Sequence, residues 1–499
     1  VADTPPSALF RFEAPADHRR IRETLASAGY DDDGVTDVLG VNPSALIGLK
    51  LAPLLRRTAG GSPLETLVRL FALGVRVDRG QATTALGPMD IDWWAAGGLV
   101  AVDGDEVEAT VQLRCYQGLV VAFDFHRRGG APLSPDYVMG ISASSLTLAG
   151  LTIRRPTRST LDLGTGCGFQ AFLAAQHSER VVATDRNPRA VEMAAFNVEL
   201  NELGTVECRE GDLFEPVAGE TFDLIVSNPP FIVSPDNVFY FLHSGMKGDD
   251  VCRTVARRAP EHLNEGGYCQ FLANWTAVAG QDWRDRLAGW FEGTGCDAFV
   301  LRRGSTAPED YAVTWIESEG ADGFDRSFDT WTDYYEDLGV EAIDSGLVTM
   351  RRSGRGATNW FGAEDNPDTM TFPAGTELLD RFAAEDFLAA HPADDALLAT
   401  RFRLAYDVCL DQELIAADGG WVPLGSRLRR TGGLHWSGAV DADGAALLAR
   451  CDGTETMGAL LSDLAASVGA GAGALQSTWP ATVRRLVACG FLVPAPPAA

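Results

Sequence analysis

Three stretches of this chain combine residue types that could assemble a reaction site. The first is Asp162-Leu163-Gly164-Thr165-Gly166-Cys167-Gly168-Phe169. An apolar run leads into three glycines at alternate positions, and apolar residues at helical spacing follow (Phe169, Phe172, Leu173). The order reads as strand, tight turn, helix. Glycine lets backbone approach a ligand where a Cβ would collide, and a helix opening behind the turn aims unpaired N–H groups at the same place. The second stretch is Asp185-Arg186 at the end of the next predicted strand, with Gly211-Asp212-Leu213 following the one after it. The third is Asn228-Pro229-Pro230-Phe231, at the end of a fourth. The spacing Gly164-x-Gly166-x-Gly168 departs from the G-x-G-x-x-G of dinucleotide sites, and no glycine precedes a Lys-Ser/Thr pair as in a phosphate-binding P-loop.

The elements that must position these residues alternate from Ser159 onward. Strands are expected at Leu161–Leu163, Val181–Thr184, Thr205–Arg209, Phe222–Ser227, Gly267–Ala273 and Ala298–Leu301, with helices between, one opened by Asn187-Pro188. Ala312–Ile316 and Gly346–Met350 are expected to close the sheet as an antiparallel pair. This is the α/β pattern of a doubly wound, mostly parallel sheet. Ligands of such sheets sit outside the carboxyl ends of the strands, where the strand order reverses. The glycine turn, Asp185, Asp212 and Asn228 all fall at such ends, so one pocket can collect them.

On Asp162–Gly168, Thr184-Asp185, Gly211–Leu213 and Phe222–Phe231, the chain resembles class I S-adenosylmethionine-dependent methyltransferases. Among these it looks like N-methyltransferases carrying an N-P-P-[YF] tetrad, which include release-factor glutamine methyltransferases and small-subunit rRNA guanine-N2 methyltransferases. The resemblance spans roughly 135 to 350. It extends to Gly248-Asp249-Asp250 and Leu263-Asn264-Glu265-Gly266-Gly267, close to the stretch after the tetrad in the glutamine enzymes. It implies a Rossmann-like sheet, S-adenosyl-L-methionine as methyl donor and S-adenosyl-L-homocysteine as product. Asp185, next to Arg186, would accept from both ribose hydroxyls, and Asp212 from the adenine amine beside the Leu213 N–H. Asp162, Gly164, Thr165, Gly166, Gly168 and Asn228 would complete the cofactor site. Catalysis would fall to the tetrad. The Asn228 side-chain oxygen and the Pro229 carbonyl would each accept one N–H of the acceptor nitrogen and free its lone pair. Pro229 and Pro230 would stiffen the loop, and Phe231 would stack on a planar group.

The flanks lie outside this resemblance. The length of 499 residues suits about three domains: residues 1–130 helical and winged-helix-like, 131–360 the methyltransferase domain, and 372–499 a helical, winged-helix-like tail. In the first, helices are expected at Asp17–Ala28, Pro43–Arg56, Leu64–Leu73 and Asp90–Ala96, then a hairpin of Leu99–Val102 with Val107–Leu113. In the tail, helices are expected at Thr376–Ala390, Leu397–Leu410, Ala445–Cys451, Met457–Val468 and Ala481–Gly490, with a strand at Phe491–Val493. The tail resembles the peptide-binding winged helix of ribosomal-peptide biosynthesis pathways.

A net charge of −28, from 69 acids against 41 bases, repels a phosphate backbone at long range. It disfavours a nucleic-acid substrate and favours a peptide or protein acceptor; rRNA or another nucleic-acid base is the alternative, and a non-catalytic cofactor-binding scaffold is a third. The acidic, aromatic stretch 317–345 reads either as a solvated helix with one buried face or as a face for a cationic substrate. Nine scattered cysteines and seven histidines show no metal-ligand spacing. No apolar run approaches the roughly 20 residues of a membrane span. Val1–Phe10 shows no signal-peptide layout, and the missing initiator Met suggests a trimmed chain. A cytoplasmic setting is expected.

Overall fold

A computed structural model describes residues 8–12, 14–41, 50–126, 133–236, 238–316, 321–354, 359–366, 370–469 and 472–496. The chain divides into two compact units, Val1–Ala149 with Arg155–Asp365, and Gly150–Arg154 with Asn366–Ala499. Among the described residues no helix is long and apolar enough to cross a membrane.

The first unit is built on an eight-stranded mixed sheet. Its strands are β1 (Thr157–Leu163), β2 (Ser178–Asp185), β3 (Val206–Glu210), β4 (Phe222–Ser227), β5 (Leu263–Val278), β6 (Cys296–Thr306), β7 (Val340–Arg352) and β8 (Phe361–Asp365). Their spatial order is β8-β6-β7-β5-β4-β1-β2-β3. Strands β3, β2, β1, β4 and β5 run parallel. β7 lies antiparallel between β5 and β6. The order reverses between β1 and β4, so a crevice opens at their carboxyl ends. This is the doubly wound, Rossmann-like α/β sheet expected from the sequence. The apolar runs Val181–Ala183 of β2 and Leu224–Val226 of β4 are buried on both faces, as a central parallel sheet requires.

Two expectations fail here. Ala312–Ile316 is not a strand: Pro308–Trp315 is a helix, with Pro at its start and Glu309 and Asp310 in its first turn. Those residues suit the positive end of a helix dipole, and Tyr311 and Ala312 turn inward. The antiparallel partners of Gly346–Met350 are β5 and β6 instead. In the second unit, Leu397–Leu410 is helical only over Asp394–Leu398. It continues as strand Arg401–Leu404, which pairs with Asp452–Thr456 and Leu492–Pro494, and then as Val408–Ala417, which forms a hairpin with Gly420–Arg430. The helices Gly375–Ala390, Ala442–Ala449, Met457–Ser467 and Ala472–Ala488 complete that unit.

Ahead of the large sheet, short helices lead to a three-stranded antiparallel sheet (Val77–Asp78, Val100–Asp103, Glu106–Ala109) and a hairpin, Gln112–Tyr116 with Leu119–Phe123. Ser62 and Glu65 form a reciprocal cap on the helix that begins at Pro63, and Asp90 caps Ile91–Ala96. Part of the expected helix Pro43–Arg56 lies outside the described residues; Leu51–Arg57 is helical. Helix Ala321–Asp337 buries Trp331 and Tyr335 and exposes Asp325, Asp329, Asp333 and Glu336. It is a solvated helix with one buried face; Glu317 and Glu319 lie outside the described residues.

The hairpin is fastened to the large sheet's unit through two asparagines one turn apart, Asn197 in helix Pro188–Leu200 and Asn201 just past its end. Asn197 accepts from the Ala122 N–H at 2.8 Å and donates to the carbonyls of Ala122 and Cys167, both at 2.9 Å. Asn201 makes the same paired contact with Val120. These side chains satisfy the backbone of an otherwise open strand edge. Asn197→Ala would leave three buried backbone groups unpaired. It should lower the unfolding free energy by about 2–4 kcal/mol in urea melts; a loss below ~0.5 kcal/mol would mean that the edge is satisfied in another way.

Candidate active site

The glycine turn follows directly from β1. The amides of Gly164 and Thr165 both donate to the Thr184 carbonyl, at 2.9 and 2.8 Å. Gly164 and Gly166 hold φ of +75° and +55°, which an L side chain adopts only with strain. A Cβ on either would meet no protein atom within 4 Å, so both border open space. Gly168 differs. A Cβ there would lie 2.1 Å from the Phe172 ring, so this glycine permits helix packing behind the turn.

Asp185 ends β2. Its Oδ2 accepts the Gly166 N–H and its Oδ1 the Asn187 N–H, both at 2.9 Å. Its carbonyl accepts from Gly211 at 3.0 Å. Burial pushes its carboxyl above the usual range, while the amide hydrogen bonds and the Arg186 charge act the other way. Arg186 itself braces a loop: it donates to the His243 carbonyl at 2.8 Å and the Ser244 carbonyl at 3.2 Å, and lies over the Tyr240 ring. Across the crevice, Asn187 donates to the Asp136 carbonyl, and Asp124 pairs with Arg189 at 2.6 Å while accepting from the Val138 N–H. These bonds hold 136–140 over the strand ends.

β4 stops at Ser227, whose Oγ donates to the Leu163 carbonyl at 2.7 Å and ties β4 to β1 at the reversal. Asn228 follows. Its Nδ2 donates to Ser144 Oγ at 3.3 Å. Its Oδ1 is buried and has no hydrogen-bond partner among the described residues. Such an acceptor, left dry, costs free energy that a donor from a ligand would recover.

One hollow with about 1090 Å³ of space joins these parts. Gly164, Thr165, Gly166, Asp185, Arg186, Asp212, Leu213, Asn228, Pro229 and Pro230 lie on its wall, completed by Tyr137–Gly140 and by Tyr240, Phe241, Ser244 and Met246. Leu213 holds a left-handed φ of +47°, and Asp212 is exposed beside it. Three residues singled out in the sequence stand off the wall. Asp162 lies behind the turn, where its Oδ2 accepts from the Thr165 hydroxyl at 2.6 Å and the Ala171 N–H at 2.9 Å. Gly168 faces Phe172. Phe231 does not face the hollow: it forms a backbone bridge with His243 and packs into apolar clusters. The roof loop from Tyr240 to Met246 was not legible in the sequence, because Arg186, the residue that holds it, is 54 or more positions away.

A methyltransferase small domain matches residues 142–281. Two domains of unknown function, DUF7059 and DUF7782, match 27–110 and 380–494. The chain is 34% identical over 198 residues to the release factor glutamine methyltransferase of Xylella fastidiosa, covering 36% of this chain and 71% of that protein. Through this region the chain belongs to the release factor glutamine methyltransferase family. It is also 38% identical over 137 residues to the ribosomal protein uL3 glutamine methyltransferase of Bradyrhizobium diazoefficiens, covering 24% of this chain and 42% of that one. A putative protein N5-glutamine methyltransferase of Methanocaldococcus jannaschii is 32% identical over 122 residues, covering 23% and 61%. The protein is accordingly an S-adenosylmethionine-dependent N-methyltransferase.

Behind the glycine turn this family member keeps one buried carboxyl. Burial pushes Asp162 up from 3.8 to about 7, the Thr165 and Ala171 hydrogen bonds pull it down, and the Asp185 charge pushes it up again. The unfolded chain releases that proton near the ordinary carboxylate range. The folded state therefore holds it longer, and the stability this group contributes is full below about pH 4 and lost as pH rises toward 7. Asp162→Asn keeps one oxygen for both donors and cannot ionise. Between pH 4 and 7 its unfolding free energy should gain on the wild type by up to about 1.4 kcal/mol per pH unit. Parallel pH profiles in urea melts would refute this titration.

Proposed function

We propose that the protein methylates a side-chain amide nitrogen, that of a glutamine, in a protein acceptor. The observation that carries the reading is the unpartnered Asn228 Oδ1 beside a glycine-lined hollow at the strand reversal. An amide nitrogen is a poor nucleophile because its lone pair is delocalised into the carbonyl. Asn228 Oδ1 accepts one of its N–H groups, and the Pro229 carbonyl accepts the other. Held by two acceptors, the nitrogen is turned so that its lone pair points along the hollow. Pro229 and Pro230 restrict the backbone that carries these acceptors, so the contribution is orientation and electrostatics without a covalent intermediate. Bound S-adenosylmethionine supplies a methyl group on a positively charged sulfur. Asp185 is positioned to accept ribose hydroxyls and Asp212, with the Leu213 amide, to meet the adenine. Gly164, Thr165 and Gly166 let backbone approach the methionine part, and Asp162 holds that turn.

The names of the relatives favour a release factor or a ribosomal protein as acceptor, which would place the reaction in the cytoplasm. In this reading 131–360 is the catalytic domain, and 1–130 and 372–499 are winged-helix-like modules that present the acceptor. The exposed carboxylates of helix Ala321–Asp337 favour an acceptor with basic residues.

Incubation with isotope-labelled S-adenosylmethionine, full-length release factor and total cell RNA tests the reading by mass spectrometry. Label on a glutamine of the protein is expected; label on RNA alone would overturn it. Asn228→Ala should abolish transfer while cofactor affinity stays within about twofold, since the lost acceptor serves the acceptor nitrogen. Asp185→Asn should weaken cofactor binding by about 1.5–3 kcal/mol in calorimetry; native affinity would remove Asp185 from the ribose site.

A further inference from the structure

The reading above needs the oxygen of Asn228, not its NH2 group, to face the hollow. The two ends of a carboxamide have the same shape, so shape alone does not choose between them. Something must bias the amide, and among the described residues its one side-chain hydrogen bond goes to Ser144 Oγ, at 3.3 Å. A serine hydroxyl can donate or accept. It discriminates between the two amide orientations only if its own proton is already committed.

We propose that Ser142 and Ser144 are positioning residues that lock the Asn228 amide with its oxygen toward the acceptor nitrogen. This rests on the catalytic role proposed for Asn228. Ser142 Oγ lies 2.8 Å from Ser144 Oγ and 3.0 Å from Ser145 Oγ, and it also accepts the Ser145 backbone N–H at 3.2 Å. In the proposed arrangement Ser142 gives its proton to Ser145 Oγ and accepts the proton of Ser144. Ser144 then offers Asn228 a lone pair, which the Asn228 NH2 fills, and Oδ1 is turned to the hollow. The helix Ala143–Leu151 carries Ser144 and Ser145, and its first turn is fastened from the other side, where Gln170 Nε2 donates to the Ser145 carbonyl at 2.7 Å. The serines thus sit on a braced element, as orientation to a fraction of an ångström requires.

Removing Ser142 frees the Ser144 proton to point at Asn228, and the amide can then turn over and present NH2 to a nitrogen that needs an acceptor. Two measurements test this. In protein labelled with 15N-asparagine, the Asn228 side-chain signals are identified by their loss in Asn228→Asp. In Ser144→Ala and Ser142→Ala they should shift and exchange faster with water, and Ser144→Thr should restore them; signals unmoved by Ser144→Ala overturn the inference. With full-length release factor as acceptor, Ser142→Ala should lower kcat about tenfold or more, with cofactor affinity within about twofold. Full kcat in Ser142→Ala and Ser144→Ala, with Asn228→Ala inactive, defeats the relay and leaves the role of Asn228 standing. An active Asn228→Ala defeats that role itself, while the spectral test still judges the relay.

Discussion

One half-buried carboxylate, Asp185, sets the shape of this site. Its two oxygens and its carbonyl hold three separate pieces of backbone: the glycine turn after β1, the start of helix Pro188–Leu200, and Gly211 after β3. Each of these pieces leaves a strand end, and strand ends are where a sheet offers its backbone no further ladder partners. A charged acceptor at that point does what a ladder would have done, with stronger bonds than a neutral group could make. The cost is desolvation, visible in the upward push on its carboxyl. The hollow is therefore preorganised by electrostatics before any ligand enters it.

The second constraint is the way the crevice is closed. Strand ends of an open sheet face solvent unless loops are drawn over them. Here Arg186 and Asn187, the two residues after Asp185, each reach a different loop, one at 243–244 and one at 136. The same short stretch thus organises floor and roof. Ser227, tied to the Leu163 carbonyl, fixes where β4 delivers the tetrad relative to the glycine turn. The spacing of the glycine turn and Asn228 follows from that one bond and the parallel register of β1 with β4.

Much of this is legible in the sequence, and for local reasons. Strands β2 and β4 are apolar runs ended by Asp or Asn-Pro, and β1 runs into a glycine turn, signals that need no distant partner to be read. Ala312–Ile316 misled because a five-residue apolar run fits a buried helix as well as a strand; the deciding signals were Pro308, Glu309 and Asp310 just ahead of it. Arg401–Leu404 and the Val408–Arg430 hairpin were missed because pairing settled them, and the partners of the first strand lie some 50 to 90 residues on. The tetrad fixes where the chain turns, but the bridge of Phe231 to His243 and its apolar packing are long-range contacts that no local signal announces.

The charge inside the hollow follows from the same geometry. Asp162 is buried and Asp185 half-buried, and the Asp185 charge makes ionised Asp162 less favourable. A ligand that carries positive charge into the space between the glycine turn and Asn228 lowers the free energy of both ionised carboxylates, and more so in a dry site than in water. That contribution disappears when the charge does.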